Sequence, residues 1–202
     1  MRDLSDTAVL IRQQEEISIM SKVQIEGQVY LSNVASSQKP FGLRTYVKPL
    51  EAGDISLRYN GGIGPYKREL VTVNSELIDK WKIITSCLTA EHAGETDKNG
   101  QKRIFSTLEM LEPGTICTET YMLLNIFDNQ SECVNMMHYL KTRFVRALVA
   151  MVTATQHLSK ANFRFVPLQD FSKPWTDVEL YAKYGLTDEE IAFIESMIKP
   201  ME

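Results

Sequence analysis

The sequence predicts an α+β fold: a helix near the N-terminus, mixed or antiparallel strands in the middle, a long helix at about 130–156 and two C-terminal helices. Three observations carry that expectation. Apolar residues recur at helical intervals towards both ends. Between them lie runs rich in Ile, Thr, Tyr and Val, punctuated by Gly, Pro and Asn. Capping signatures with Glu three residues after Asn or Thr recur in the C-terminal part. A chain of 202 residues can bury one sizeable core or two small ones.

Residues 8–34 read as helix, with Val9, Leu10, Ile17, Met20 and Val23 at helical intervals and Gln13, Gln14, Glu15 and Glu16 on the wet side. A break is expected near Gly27. A helix so close to the first residue suits either a preceding domain or an ordinary N-terminal helix packing on its own domain. Residues 35–53 carry Pro40, Gly42 and Pro49 and read as loop. Two strands, Ile55–Tyr59 and 66–73, are expected to flank a six-residue joint, Asn60-Gly61-Gly62-Ile63-Gly64-Pro65, too long for a tight turn. Asn74-Ser75-Glu76 starts a helical turn before a third strand at 81–87, and residues 90–102 form a polar, mobile surface loop. Residues 116–127 read as one strand.

Asn129 and Glu132 open the long helix, whose apolar stripe is Val134, Met137, Leu140, Phe144, Leu148 and Met151. Residues 163–168 form an extended exit. Thr176 with Glu179 opens a helix that Gly185 closes, and Thr187 with Glu190 opens the last, which Pro200 stops. The expected organisation is a helical lead-in over 1–35, an α+β domain over 36–166 and a helical tail over 167–202.

No apolar run approaches the roughly 20 residues of a membrane helix. The opening Met1-Arg2-Asp3-Leu4-Ser5-Asp6 is polar and acidic, unlike a signal peptide. Cys87, Cys117 and Cys133 cannot all pair and read as buried thiols, so a cytoplasmic location without a membrane partner is expected. The net charge of −4 argues against a polyanion partner, but its distribution is uneven. Residues 36–103 hold 11 basic and 8 acidic groups, flanked by acidic ends.

Several chemistries lack their residues. Binding of S-adenosylmethionine for DNA methylation needs a glycine-rich turn opening a helix and an Asn/Asp-Pro-Pro-aromatic motif. The chain has no Pro-Pro pair, and Gly61-Gly62-Ile63-Gly64 lies between strands. No Asp or Glu is followed two residues later by Lys, as a metal-dependent nuclease would usually require. Cys87/His92 and Cys133/His138 lack a second pair for zinc. No catalytic residue, metal ligand or cofactor is assigned to this chain, which is not expected to be an enzyme on its own.

What remains is a set of basic and aromatic residues suited to duplex DNA. Lys39, Arg44, Thr45, Tyr46 and Lys48 cluster in the first loop; Arg58, Tyr66, Lys67 and Arg68 flank the glycine-rich joint; Lys102 and Arg103 follow the polar loop. Lys and Arg neutralise phosphates, and glycines admit close approach to a groove. Solvated strand edges around a plain hairpin would account for the same residues. Trp81 and Phe105 read as core.

A longer pattern adds to this. The stretch Ser36-Ser37-Gln38-Lys39-Pro40-Phe41-Gly42-Leu43-Arg44-Thr45 resembles a segment downstream of the catalytic domain in restriction–modification adenine-N6 DNA methyltransferases, related to TaqI-like and fused restriction–methylation enzymes. So do Tyr66-Lys67-Arg68, Ile78-Asp79-Lys80-Trp81-Lys82-Ile83, and Pro113-Gly114-Thr115-Ile116-Cys117-Thr118-Glu119-Thr120-Tyr121. Tyr139-Leu140-Lys141-Thr142-Arg143-Phe144, Phe165-Val166-Pro167-Leu168-Gln169-Asp170-Phe171 and the tail from Trp175 to Met201 continue the series. The resemblance spans residues 8–202. It implies a target-recognition region lying across DNA from a catalytic domain that supplies the S-adenosylmethionine pocket and is absent from this sequence. Double-stranded DNA and a methyltransferase catalytic domain or subunit are the implied partners. Arg143 resembles the second basic position of the family's Lys-Thr-Lys/Arg-Phe helix motif. A protein–protein assembly module of a restriction–modification complex is the alternative.

Overall fold

The computed structural model describes residues 13–89, 96–153 and 155–201. The fold is α+β, with six α-helices and two three-stranded sheets among the described residues. Helix α1 (Gln14–Val23) buries Glu16, Ile19, Met20 and Val23, one face at i, i+3, i+4 and i+7. Glu15 and Glu16 in its first turn and Lys22 in its last suit the helix dipole. The chain then turns through Gly27, whose φ of 79° is left-handed, before the single turn α2 (Leu31–Val34). The break expected at Gly27 is there; Val9 and Leu10 lie outside the described residues.

The first sheet orders β2-β1-β5, from β1 (Ile55–Tyr59), β2 (Gly62–Tyr66) and β5 (Thr115–Cys117). The expected six-residue joint is instead a two-residue turn, Asn60-Gly61, because Tyr59 pairs with Gly62. Gly62, Gly64 and Pro65 are strand residues. Pro65 is tolerated because β2 is an edge: it needs no inward N–H, and its carbonyl accepts from Leu50 N at 2.8 Å. The strand expected over 66–73 therefore ends where it was meant to begin, and Arg68–Leu70 forms a 3₁₀ turn. A second 3₁₀ turn, Ser75–Leu77, follows Asn74 in left-handed conformation, as that motif suggested.

The second sheet orders β4-β3-β6, all antiparallel, from β3 (Trp81–Ser86), β4 (Leu108–Leu111) and β6 (Tyr121–Phe127). The single strand expected over 116–127 is two strands in two sheets. Tyr121 N donates to Thr118 O in the bend between them, so β5 runs parallel to β1 while β6 pairs with β3. Strand β4 was not anticipated.

This second sheet is the shared wall of the molecule. Ile83, Met122 and Leu124 face a larger core built with the helices, whereas Ile84, Leu111, Tyr121 and Leu123 face a smaller core against the first sheet. A bulge opposite Ile83/Ile84 gives β6 an extra residue, after which Ile126 joins the smaller core and Phe127 the larger. Burial on both faces explains why β6 reads as a nearly continuous apolar run.

The long helix expected over 130–156 is also two. Helix α3 (Gln130–Lys141) begins at Asn129, whose side chain accepts from Glu132 N, as its motif foretold. It stops at Thr142, which is extended (φ −60°, ψ 151°) and caps α4 (Arg143–Val152) by accepting from Val145 N. Asp177 seals the break from afar: its carboxylate accepts from Arg143 N at 3.1 Å and Phe144 N at 2.8 Å. Arg146, almost wholly buried, donates from Nε to Lys141 O and Thr142 O and from Nη1 to Lys199 O. The buried face of α3 is Cys133, Met136, Tyr139 and Leu140, one step round from the expected Val134 and Met137. Helices α5 (Asp177–Lys183) and α6 (Asp188–Met197) carry the capping boxes at Thr176/Glu179 and Thr187/Glu190. Buried Glu190 accepts from Ser18 Oγ at 2.7 Å and Lys22 Nζ at 2.6 Å, tying α6 to α1.

Candidate nucleic-acid interface

Nine of the eleven basic, hydroxyl and aromatic residues expected to meet DNA lie in or beside the first sheet: Lys39, Arg44, Thr45, Tyr46, Lys48, Arg58, Tyr66, Lys67 and Arg68. Lys102 and Arg103 do not join them. The backbone of Lys102 bridges to Ile198 and donates to Met197 O, and the chain after Arg103 enters the larger core at Ile104 and Phe105.

The hairpin is set by its own residues. Leu57 and Tyr59 share the core face of β1, while Arg58 points to the opposite face and towards the second sheet. There its guanidinium donates to both carboxylate oxygens of Glu109 on β4, each at 2.7 Å. Nη1 also donates to Tyr59 O at 2.7 Å and Gly62 O at 3.3 Å, on either side of the turn. The same group lies 4.7 Å from the Tyr121 ring centroid. The Glu109 hydrogen bonds raise the Arg58 pKa further above its ordinary value. Arg58 thus joins the two sheets and fixes the turn, with few donors left for a ligand.

Most other cations are also occupied. Arg68 makes a bidentate pair with Asp79 at 2.7 Å, while its backbone N–H donates to Asp54. That backbone hydrogen bond holds the Asp54 carboxyl below its usual range. Glu119, from the bend between β5 and β6, receives the Arg44 guanidinium at 3.4 Å and Thr45 N–H at 3.1 Å. Lys67 lies 3.6 Å from Glu69, with both side chains more than half exposed, so this pair stabilises little. Tyr66 is buried in the smaller core, and its ring cannot stack on a base.

Three of the expected residues stay open. Lys39 adopts a left-handed φ of 60°, and no described carboxylate pairs with it. Tyr46 is 77% exposed. Lys48 places Nζ 5.1 Å from the Tyr59 ring centroid, and Tyr59 in turn packs against the turn at Gly61. Pro49 packs against Gly64, so residues 46–50 run beside the hairpin. The sequence reading missed Glu109, Glu119 and Asp79 as partners and Ile63, 61% exposed on β2, as a surface residue. The Gly-x-Gly flanks of Ile63 were the available signal once Gly62 and Gly64 are seen as strand residues.

Other chemistry is sparse among the described residues. The three cysteines are buried and free; burial pushes all three thiols up, Cys133 to about 12, which disfavours the thiolate. No group of three or more His, Cys, Asp and Glu side chains could hold a metal ion there. His92 falls outside the described residues, and His138 and His157 are exposed. No described helix is long and apolar enough to cross a membrane. No family model matches the chain, and no similar curated protein or solved structure was found.

Proposed function

We propose that this chain is a DNA sequence-recognition module of a restriction–modification adenine-specific DNA methyltransferase, with methyl transfer carried out by a catalytic domain or subunit that binds S-adenosylmethionine. The observation that carries this reading is the ordered series of resembling segments from Ser36 to Met201. The surface around the first sheet is compatible with it: Lys39, Lys48 and the weakly paired Lys67 supply phosphate contacts. Phosphate contacts position a protein on DNA, while specificity comes from base edges. Three lysines therefore account for docking only.

Fluorescence anisotropy with a randomised duplex pool tests the reading across a salt series. Binding is expected to weaken steeply as salt rises. Replacing Lys39, Lys48 and Lys67 together by Gln should flatten the log K against log salt slope by roughly 0.9 for each phosphate no longer neutralised. Absence of binding to the pool at low salt sinks it. The protein–protein assembly reading is favoured by the internal neutralisation of Arg58 and Arg68 and by the acidic first turns of α5 and α6. Under that reading the same triple substitution leaves association with the methyltransferase subunit unchanged, whereas neutralising Asp188 and Glu189 weakens it.

A further inference from the structure

We propose that Asn60, at the tip of the β1–β2 hairpin, is a self-modification site: its side chain cyclises onto the following backbone nitrogen, loses ammonia and reopens in water as an aspartyl or isoaspartyl residue. An asparagine before a glycine favours this reaction, because the missing Cβ leaves the attacking nitrogen sterically open. The chain has two such pairs, Asn60-Gly61 and Asn99-Gly100. All four residues are exposed, so hydrogen bonding decides between the two. Asn99 sits in a turn wrapped around Asp97. Its own N–H and that of Gln101 donate to Asp97 Oδ1 at 2.8 and 3.0 Å. Gly100 N–H, the group that has to attack, donates to Asp97 O at 2.9 Å, and cyclisation at Asn99 must break that bond. At the hairpin tip Tyr59 pairs with Gly62 across the turn, and neither Gly61 N–H nor the Asn60 side chain has a hydrogen-bond partner among the described residues. Nucleophile and amide are both free there.

Water is the only co-reactant the step needs. Hydroxide removes the Gly61 amide proton, the nitrogen bonds to Asn60 Cγ, and the side-chain nitrogen departs as ammonia to leave a succinimide. Water then opens the ring at Cγ, giving aspartate, or at the main-chain carbonyl of residue 60, giving isoaspartate. Either product adds one negative charge to the hairpin tip. Isoaspartate also lengthens the backbone by one atom within a two-residue turn. Arg58 Nη1 reaches the carbonyls of Tyr59 and Gly62 on either side of that turn, and an added atom between them opposes its hold on both. The modification therefore loosens the hairpin from its own tip.

The test uses the full chain, incubated in mildly alkaline buffer both folded and unfolded in urea. Trypsin places the two sites on separate peptides, Tyr59–Lys67 and Asn99–Lys102, and mass spectrometry follows the conversion of amide to acid in each. In the folded protein Asn60 is expected to convert at least about fivefold faster than Asn99, the effect of one backbone hydrogen bond that need not be broken, and in urea the two rates should converge. Equal rates in the folded protein, a faster Asn99, no conversion at either site, or the same ratio persisting in urea overturns the assignment of Asn60. Aged protein is expected to melt below both fresh protein and Asn60→Asp, which carries the charge without the extra backbone atom. Aged protein that melts no lower than Asn60→Asp overturns the loosening of the hairpin.

Discussion

The Arg58–Glu109 pair gives a quantitative prediction about what joins the two sheets. The Arg58 side chain is 16% exposed and that of Glu109 35%, so the pair is only partly shielded from water. Two charge-assisted hydrogen bonds in that setting should couple by about 1–2 kcal/mol, above an exposed pair and below a buried one. Arg58→Ala also removes two donations to backbone carbonyls, worth about 0.5–1.5 kcal/mol each, and a ring contact of about 0.5–1 kcal/mol. Its total cost is then roughly 2.5–6 kcal/mol, whereas Glu109→Ala should cost about 1–2 kcal/mol by leaving the guanidinium without its anion. Urea denaturation of the wild type, both single variants and the double variant closes the cycle. A coupling below about 0.5 kcal/mol would show an ordinary surface ion pair, and the account of a clamped hairpin would fail with it.

Two further predictions concern the helical side. Asp177→Ala removes the acceptor for Arg143 N and Phe144 N and should destabilise by about 1–2 kcal/mol, read as a lower urea midpoint with unchanged m-value; a cost within ~0.3 kcal/mol of zero would contradict the proposed seal on the helix break. Lys82 is fully buried, and desolvation pushes its pKa down from 10.5 to about 8, while its ammonium donates to the carbonyls of Leu77, Ile78 and Lys80. Between about pH 8 and 10.5 the unfolded chain binds this proton more than the folded chain does, so Lys82 contributes a stability that rises with pH. The wild-type curve should therefore gain on that of Lys82→Met across this window, by up to roughly 3 kcal/mol; a difference that is flat or falls with pH refutes the sign.

Local signals were the legible part of this fold. The caps at Asn129, Thr176 and Thr187 and the glycine break at Gly27 are decided within a few residues, and each reads directly from the sequence. The division of the long helix was not legible. Lys141-Thr142-Arg143 contains neither Gly nor Pro, and the groups that stabilise the break, Asp177 and Lys199 O, are supplied from 33 or more residues away. The division of 116–127 into two strands failed for a similar reason. β-Branched and aromatic residues satisfy either sheet, and only the partners β1 and β3 decide where the chain bends. Glycine misled in the other direction at the hairpin: Gly62 and Gly64 signalled loop, yet on an edge strand they leave room for Pro49 and for whatever approaches from outside.

The candidate surface changes most when sequence charge is replaced by paired charge. An excess of basic over acidic residues in 36–103 left room for a local polyanion site. The fold brings in Glu109 and Glu119 from outside that stretch and spends Arg58 and Arg68 on bidentate bonds, so the two best guanine readers by residue type are structural. The features this side of the molecule leaves exposed are small: Lys48 over the partly buried Tyr59, the exposed Tyr46 and Ile63 between two glycines. Under the recognition reading proposed above, most of the affinity would come from a partner clamped on the opposite side of the duplex, so the isolated chain is expected to bind DNA weakly and with strong salt dependence, which an anisotropy titration across a salt series checks.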